Sequence, residues 1–456
     1  MSYMSINPAT GSILTEFSVW DPTSLESYLQ KISIVTHEWN NIQIEQRVAL
    51  IRNTAMVLRN RIDEFSQLMT LEMGKLISES RAEIEKCAWL CEYYADNGAG
   101  FLTDEVIKSD AEKSYVAYQP LGTILAVMPW NFPFWQVFRF AIPALLAGNT
   151  CVLKHASNVP QCAIAIEGIF ADTGYPKHVF TNLMISSDQV HNIIHDHRIH
   201  AVSLTGSEEA GQKVAATAGA NIKKCVLELG GSDPFIVLDD ADMDLTVKNA
   251  VAARFLNAGQ SCIAAKRMIV LEAIAEPFVD RLTTAIMALV PGDPLQDTTN
   301  LAPMARSDLR DKLHNQIKDS IAAGAVPLTG CAPVEGRGFF YQPSLLDRVQ
   351  TGMRAYHEEL FGPVAVIIRA KDEEEAIHIA NDTRFGLGGS VWTRDIARGE
   401  RIAKQLQSGM AFVNGMVKSD PRLPVGGIKA SGFGRELSHH GIREFVNAKT
   451  VWIGGG

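Results

Sequence analysis

The sequence has few cysteines for its length. It contains seven in 456 residues, and none lie in the Cys-x-x-Cys pairs that are typical of zinc and redox motifs. A small secreted domain held by disulfide bonds needs a much denser set. We therefore expect reduced thiols. Cys87 and Cys91, four residues apart in a helical stretch, are interpreted as buried small side chains rather than metal ligands.

Long apolar runs are also absent. The longest, such as residues 124–128, stop at proline or polar residues, far short of the roughly 20 residues that a membrane-spanning helix needs. The first eight residues do not combine a basic segment with an apolar one, as a signal peptide would. We therefore expect a cytoplasmic protein that does not contact a membrane.

There is no excess of positive charge, because 42 Lys and Arg residues face 51 Asp and Glu residues, for a formal net charge of -9. Nucleic-acid recognition needs clustered basic residues that neutralise phosphates, so we expect no nucleic-acid partner. Four histidines lie close together, but we interpret them as solvated side chains and predict no metal site; they are His191, His195, His197 and His200.

What the sequence does contain is typical of a globular α/β protein. Hydrophobic residues make up 46% and charged residues 20%, and the length exceeds what one core usually supports. Apolar residues at three- and four-residue spacing predict helices over residues 25–91. After Gly122, short apolar runs alternate with helical stretches, and a second such series begins near Phe235. The pattern predicts two α/β domains with parallel sheets.

The GxGxxG fingerprint of conventional dinucleotide-binding folds is missing. Residues 203–211 instead predict a strand, a glycine turn at Gly206 and a helix that starts after Ser207. The backbone N–H groups and the dipole of such a helix start can hold a pyrophosphate. Most Gly-Ser turns before helices are only caps, so this segment indicates a cofactor site only when other motifs support it.

Four other segments supply that support: PWNFP at 129–133, ELGG at 228–231, GQSC at 259–262 and EELFGP at 358–363. Each alone has an ordinary structural explanation, but together and in this order they resemble the aldehyde dehydrogenase family over nearly the whole chain. The resemblance implies an α/β fold with a Rossmann-like cofactor domain (1–101 and 120–228), a catalytic domain (229–440) and a small β oligomerisation element (102–119 and 441–456). Members of the family form dimers or tetramers through that element, so we expect a homo-oligomer.

The resemblance also implies the roles of three residues. Cys262 is the nucleophile that adds to the aldehyde carbon, since hydride leaves a thiohemiacetal more readily than a bare carbonyl compound. The Asn131 amide and the Cys262 backbone N–H stabilise the developing oxyanion. Glu228 activates the water that hydrolyses the resulting thioester, and it needs a pKa raised by burial to do so.

In the family, the segment from Lys154 to Ser157 lies at the adenosine ribose of the cofactor. Relatives that prefer NAD usually have Glu where this chain has Ser157, and that carboxylate repels the 2′-phosphate of NADP. We therefore predict NADP as the favoured cofactor; NAD stays possible if Ser157 is only a small surface residue. The full set of cofactor residues implied by the resemblance is Trp130, Asn131, Lys154, Ser157, Gly206, Ser207, Leu229, Glu359 and Phe361.

Arg139 stands among aromatic residues, where a charge needs a partner. It either clamps a substrate carboxylate, pairs with a structural Glu or stacks on an aromatic ring. Arg139 and Ser419 together resemble the succinate semialdehyde dehydrogenases, which implies a small acidic aldehyde as substrate. The alternatives are a neutral aldehyde, with Arg139 structural, or a non-catalytic binding protein of the same fold. Ala264 replaces the second Cys that many of these enzymes carry, so we expect no disulfide switch beside Cys262.

Overall fold

The computed structural model describes residues 2–455 of the chain. Its first hundred residues form an antiparallel strand pair and four helices, namely β1 (Ser2–Ile6), β2 (Ile13–Ser18), α1 (Pro22–Asn40), α2 (Ile44–Asn60), α3 (Ile62–Met73) and α4 (Ile77–Phe101). The side chain of Asp21 caps α1 by accepting a hydrogen bond from the backbone N–H of Ser24, and Pro22 occupies the first helical position. The helical region predicted for residues 25–91 is confirmed.

A first sheet has six strands, numbered along the chain. In spatial order they are β17 (Gly432–Phe433), β9 (Lys224–Glu228), β8 (Ile199–Thr205), β5 (Thr123–Met128), β6 (Thr150–His155) and β7 (Phe180–Asn182). All neighbours run parallel except β17, which is antiparallel to β9. The central strands are buried on both faces, which is why the sequence shows them as continuous apolar runs.

A second sheet has seven strands. In spatial order they are β12 (Val326–Thr329), β13 (Ser344–Asp347), β14 (Val364–Ala370), β11 (Ala265–Leu271), β10 (Asp233–Val237), β15 (Ser390–Trp392) and β16 (Phe412–Val413). Only the β12–β13 pair is antiparallel. This sheet is the second α/β series that the sequence predicted from residue 235 onward, so the expectation of two parallel sheets is confirmed.

Helices cover both faces of each sheet. In the seven-stranded sheet, Ile236 and Ile269 pack into one apolar core, while their neighbours Phe235 and Met268 pack into another, as the two-residue period of a strand requires. No helix within residues 2–455 has the length and hydropathy needed to cross a membrane. The remaining helices are α5 (Trp135–Leu146), α6 (Pro160–Asp172), α7 (Val190–His195), α8 (Glu208–Ala220), α9 (Met243–Phe255), α10 (Glu272–Met287), α11 (Ser307–Ala322), α12 (Arg354–His357), α13 (Glu373–Asn381), α14 (Ile396–Ala403) and α15 (Ser438–Glu444).

A third, small antiparallel sheet joins distant parts of the chain. Its order is β18 (Val446–Ile453), β4 (Lys113–Pro120) and β3 (Glu105–Val106), with Val446 opposite Pro120 and Ile453 opposite Lys113. These strands come from the two ranges that the sequence suggested as one element. The division suggested by the sequence placed residues 432–433 in the catalytic domain (229–440). In the structure these residues form β17, which pairs with β9 of the first sheet.

Candidate active site

A cavity of about 330 Å³ lies where α4 and α5 meet the loops that precede β11 and follow β16. Cys262, Glu228, Arg139 and Ser419 all line it, although they are far apart in the sequence. The structure therefore brings the residues predicted for nucleophile, base and substrate recognition into one pocket. Most of the remaining wall is apolar and includes Phe132, Trp135, Leu256, Ile263, Leu387, Met416, Val417 and Val425.

The backbone before Cys262 forms an unusual turn. Asn257, Ala258 and Gly259 follow α9 with φ angles of 55°, 51° and 72°, all in the left-handed region. This conformation costs a non-glycine residue roughly 1–2 kcal/mol, so surrounding contacts must hold it. Gly259 cannot carry a side chain, because a Cβ would collide with the carbonyl oxygen of Gly362. Cys262 follows this turn by three residues and lines the cavity.

Arg254 holds this turn in place. Its buried guanidinium donates hydrogen bonds to the backbone carbonyl oxygens of Gly259 (3.3 Å), Leu360 (2.9 Å) and Val364 (2.7 Å). One side chain thus ties the turn before Cys262 to the EELFGP segment, which explains how two motifs far apart in sequence meet. The sequence gives no sign of this role, since an Arg near the end of a helix is usually solvated.

The Cys262 thiol sits in a largely apolar environment. Burial raises its pKa to about 11, although the positive charges of Lys266 and Arg139 oppose the rise. Lys266 Nζ donates to the carbonyl oxygens of Ser261 (2.7 Å) and Cys262 (2.8 Å) and pairs with Glu359 at 3.2 Å. At neutral pH the protein alone keeps the thiol protonated, so formation of the thiolate requires a proton acceptor.

Glu228, the last residue of β9, carries a buried carboxyl group in the same cavity. Burial raises its pKa to about 8, and the charge of Arg139 opposes the rise. Among the residues that the structure describes, its Oε1 atom has no hydrogen-bond partner. A carboxyl with these properties can accept a proton from a thiol or from water near neutral pH.

Asn131 follows β5 and is joined to the turn before Cys262. Its Nδ2 atom donates to the backbone carbonyl oxygen of Gln260 at 3.1 Å. The backbone carbonyl oxygen of Asn131 accepts a hydrogen bond from Asn257 Nδ2 at 2.8 Å. One of the two amide hydrogens on Nδ2 is thus used within the protein. The other is available to a ligand, which is the group that the predicted oxyanion role requires.

Arg139 lies in α5 and forms a buried ion pair with Glu436, its Nε atom facing Glu436 Oε2. Its Nη2 atom lies 3.4 Å from Thr205 Oγ1. The sequence left open whether Arg139 has a structural Glu or a ligand as partner; the structure contains the Glu and also keeps Arg139 in the cavity wall. Ser419, in the same wall, accepts a hydrogen bond from Lys86 Nζ at 2.7 Å. Neither Glu436 nor Lys86 carries a sequence signal for this position.

Most of the residues predicted to bind the cofactor follow four adjacent parallel strands. The residues that follow β5, β6, β8 and β9 are, in turn, Trp130 and Asn131, Ser157, Gly206 and Ser207, and Leu229. They therefore share one edge of the first sheet. The strand order reverses at this edge, since β6 and β7 lie on one side of β5 while β8 and β9 lie on the other. Open α/β sheets bind nucleotides at such a reversal.

Lys154, at the end of β6, fits a nucleotide at this edge. Its side chain is nearly buried, and among residues 2–455 no carboxylate pairs with its Nζ atom. Burial lowers its pKa to about 8. An unpaired buried ammonium is costly, so hydroxyl or phosphate oxygens of a ligand would stabilise it. Ser157 lies exposed in the turn after β6 and brings no carboxylate to this position.

The other predicted cofactor residues frame the same edge. Ser207 is the N-cap of α8, and its Oγ atom accepts a hydrogen bond from the backbone N–H of Ala210 at 3.3 Å. Phe361 packs edge-on against Trp130, with ring centroids 5.8 Å apart. Glu359 accepts a hydrogen bond from the backbone N–H of Gly231 at 3.2 Å. The EELFGP segment thus borders both this edge and the turn before Cys262.

All seven cysteines are unpaired, as expected for reduced thiols. Within the described part of the chain, no group of three or more His, Cys, Asp or Glu side chains is arranged to hold a metal ion. His191 and His195 instead pack edge to face, with ring centroids 4.4 Å apart. The fold and the cavity define an α/β enzyme in which a nucleotide-binding edge adjoins a thiol and a carboxyl group.

Known proteins match the chain closely. The model of the aldehyde dehydrogenase family matches residues 1–451, and the chain belongs to this family. It is 50% identical over 453 residues to a probable succinate-semialdehyde dehydrogenase (NADP+) of Synechocystis sp., covering 99% of this chain and 100% of that one. It is 48% identical over 449 residues to the succinate semialdehyde dehydrogenase (NAD(P)+) Sad of Escherichia coli, covering 98% of this chain and 97% of that one. The solved structure of a succinic semialdehyde dehydrogenase from Streptococcus pyogenes with NADP+ matches with a TM-score of 0.98 and 38% sequence identity. The match covers 99% of this chain and 100% of that one.

Proposed function

We propose that the protein oxidises succinate semialdehyde to succinate, with NADP+ favoured over NAD+ as the oxidant. The observation that carries the proposal is the cavity in which Cys262 and Glu228 share a wall with Arg139 and Ser419. An aldehyde bound there has a nucleophile and a base for one end and cationic and hydroxyl groups for a carboxylate at the other. The names of the relatives described above support the same substrate.

In the proposed reaction, the Cys262 thiol releases its proton to water, and the sulfur adds to the aldehyde carbon. The Asn131 amide and the Cys262 backbone N–H stabilise the negative oxygen that forms. A nicotinamide bound at the edge of the first sheet supplies the hydride acceptor. Glu228 then removes a proton from a water molecule whose oxygen attacks the thioester. Succinate leaves, and the sulfur of Cys262 regains a proton.

Lys154 and Ser157 support the choice of NADP+. Within residues 2–455 no carboxylate pairs with the Lys154 ammonium, and Ser157 can donate a hydrogen bond to a 2′-phosphate. The remaining members of the proposed cofactor set are Trp130, Asn131, Gly206, Ser207, Leu229, Glu359 and Phe361. We assign no metal to the reaction, because the chemistry proposed for Cys262 and Glu228 requires none.

The Ser157→Glu variant should lower the ratio of kcat/KM for NADP+ to kcat/KM for NAD+ by about 10- to 100-fold, because the new carboxylate repels a 2′-phosphate and can accept a hydrogen bond from a ribose hydroxyl. Steady-state rates with each cofactor at saturating aldehyde measure this ratio. Ser307→Glu is a matched control, since Ser307 is exposed in the first turn of α11, a helix whose apolar face packs against the second sheet. An unchanged ratio in the Ser157 variant would contradict the assignment.

The role of Arg139 can be tested without leaving a lone buried charge. Replacing Arg139 alone leaves the buried Glu436 carboxylate without its cationic partner, which is destabilising. The informative variant is therefore R139M/E436Q. We expect it to lower kcat/KM for succinate semialdehyde by about 100-fold, the scale of a lost charged hydrogen bond, and to change kcat/KM for butanal by less than about threefold.

Equal losses for the two aldehydes would favour the alternative in which Arg139 is structural and the substrate is neutral. A thermal unfolding midpoint close to that of the wild type should accompany the result, because the variant removes both charges of the pair. The wild-type comparison of succinate semialdehyde with butanal, using NADP+ and NAD+, tests the substrate proposal itself. A higher kcat/KM for butanal would overturn it.

We further propose that the chain forms homodimers or homotetramers through the sheet of β3, β4 and β18. Trp452 and Ile453 on β18 and Val106 on β3 are exposed apolar side chains at this sheet, and an edge strand covered by a partner buries its free backbone groups. Residues 102–119 and 441–456 form this oligomerisation element in the proposed division, beside a cofactor domain (1–101 and 120–228) and a catalytic domain (229–440). The free thiols fit a cytoplasmic location.

A further inference from the structure

The cavity wall contains more charge than the proposed reaction uses. Cationic side chains reach it from Lys86, Arg139 and Lys418, and acidic ones from Glu79, Glu83 and Glu228. A carboxylate ligand is attracted only by positive charge that is not already neutralised by the protein. The partners of each cation therefore decide which of them can select an acidic aldehyde.

Two of these charged side chains are already in ion pairs. The Arg139 guanidinium faces Glu436, and both side chains are buried. The Glu83 carboxylate pairs with Lys75, again with both side chains buried. A buried pair is close to neutral when seen from outside, so Arg139 offers directional N–H donors but little net attraction. Another group must therefore supply the net positive charge that attracts a substrate carboxylate.

Lys86 differs from these residues. It lies in α4, and its Nζ atom donates to Ser419 Oγ at 2.7 Å and stands over the Trp135 ring, 4.2 Å from the centroid. Among residues 2–455, no carboxylate lies within ion-pair distance of it. An ammonium makes three hydrogen bonds, and Ser419 satisfies only one of them. The nearby acidic groups that raise its pKa, Glu83 and Asp420, act at longer range.

The electrostatics of this site agree with an unfilled anion position. Burial and, to a smaller extent, the neighbouring charge of Arg139 lower the pKa of Lys86 to about 8. The ammonium form still predominates at neutral pH. A bound carboxylate would relieve both effects, because it compensates the buried charge of Lys86 and separates it from Arg139.

We propose that Lys86 is the residue that determines specificity for an acidic aldehyde: its ammonium, together with the Ser419 hydroxyl, binds the distal carboxylate of the substrate opposite Arg139. This inference rests on the proposed function. It assigns the net attraction to Lys86 and the orientation to Arg139. The cation–π contact with Trp135 holds the ammonium at the cavity wall instead of in solvent.

The test compares Lys86→Met and Lys86→Arg with the wild type, using succinate semialdehyde and butanal at saturating NADP+. In K86M we expect KM for succinate semialdehyde to rise about 10- to 100-fold while kcat/KM for butanal stays within about threefold. K86R should keep most of the preference, since it retains the charge. Lys248→Met removes an exposed charge of α9 that lies outside the cavity, and we expect less than about threefold change for either aldehyde.

Equal losses of K86M on both aldehydes would overturn the proposal, because a merely structural lysine supports both substrates alike. An unchanged KM for succinate semialdehyde would also overturn it, as would an effect of K248M as large as that of K86M. If K86M does not fold, Lys86→Gln provides the same comparison with a polar side chain. A wild type that does not prefer the acidic aldehyde would instead contradict the proposed function.

Discussion

Replacing Cys262 with alanine is expected to lower kcat by about 10⁴-fold or more, the scale seen when an enzyme loses its covalent nucleophile. Without the sulfur there is no thiohemiacetal, so the hydride must leave an uncatalysed carbonyl adduct. The measurement is the growth of reduced-cofactor absorbance with succinate semialdehyde. Binding of NADPH, followed by its fluorescence, should persist because the proposed cofactor edge lies on the first sheet.

Cys331→Ala is the matched control for this variant. Cys331 is also half-buried, and burial raises its pKa to about 11 as it does for Cys262, but it lies outside the cavity. Its removal should leave kcat unchanged. Substantial activity in the Cys262 variant, or an equal loss in both, would show that the reacting thiol has been assigned wrongly.

Glu228→Gln is expected to lower the steady-state rate by about 10²- to 10⁴-fold, the usual contribution of a general base. The glutamine amide cannot remove a proton from water, so the acyl group remains on Cys262 after hydride has left. Mass spectrometry of enzyme mixed with aldehyde and NADP+ should detect the acylated protein. The same sample of the wild type should contain little of it.

Glu167→Gln supplies the control, because Glu167 is a half-buried carboxyl in α6 whose pKa is also raised by burial, and it lies outside the cavity. It should retain full activity. Unimpaired turnover of the Glu228 variant would contradict the role of Glu228. A variant that forms neither reduced cofactor nor thioester would instead assign Glu228 to activation of the thiol and not to hydrolysis.

The raised pKa of Glu228 also gives a sign for the pH dependence. A base acts in its deprotonated form, and burial stabilises the protonated form of this carboxyl. The wild-type rate should therefore rise with pH through about 8. In the Glu228→Gln variant this rising limb of the pH–rate profile should disappear. Steady-state rates between pH 6 and pH 9 would measure it. A limb that persists unchanged belongs to another group, such as Lys86.

The parts of the fold that could be predicted from sequence are those set by local patterns. The helices before residue 92 and the buried strands after Gly122 follow from the spacing and continuity of apolar residues. The short strand β17 could not be recognised, because two residues carry no periodicity and its partner β9 lies about 200 positions earlier. Its pairing is decided by tertiary contacts alone.

The site divides in the same way. Cys262 and Glu228 could be predicted because their short motifs occur in one chain, in order, with the PWNFP and EELFGP segments. The partners that set their surroundings come from elsewhere in the chain, as Glu436 does for Arg139 and Lys86 for Ser419. Sequence showed that Arg139 needs a partner and favoured a substrate carboxylate, but a structural Glu could also satisfy that requirement. The structure shows that Arg139 pairs with Glu436 and also lines the cavity.

The ion pair of Arg139 with Glu436 has a consequence for how the protein can evolve. Loss of either residue alone leaves a buried, uncompensated charge beside Glu228, which costs stability of the order of 3–5 kcal/mol, a large part of what a folded domain has. A lineage that drifts toward neutral aldehydes must therefore change both residues or pass through an unstable ancestor. Selection for folding alone would thus preserve the proposed recognition element for acidic substrates, even in periods when the substrate is absent.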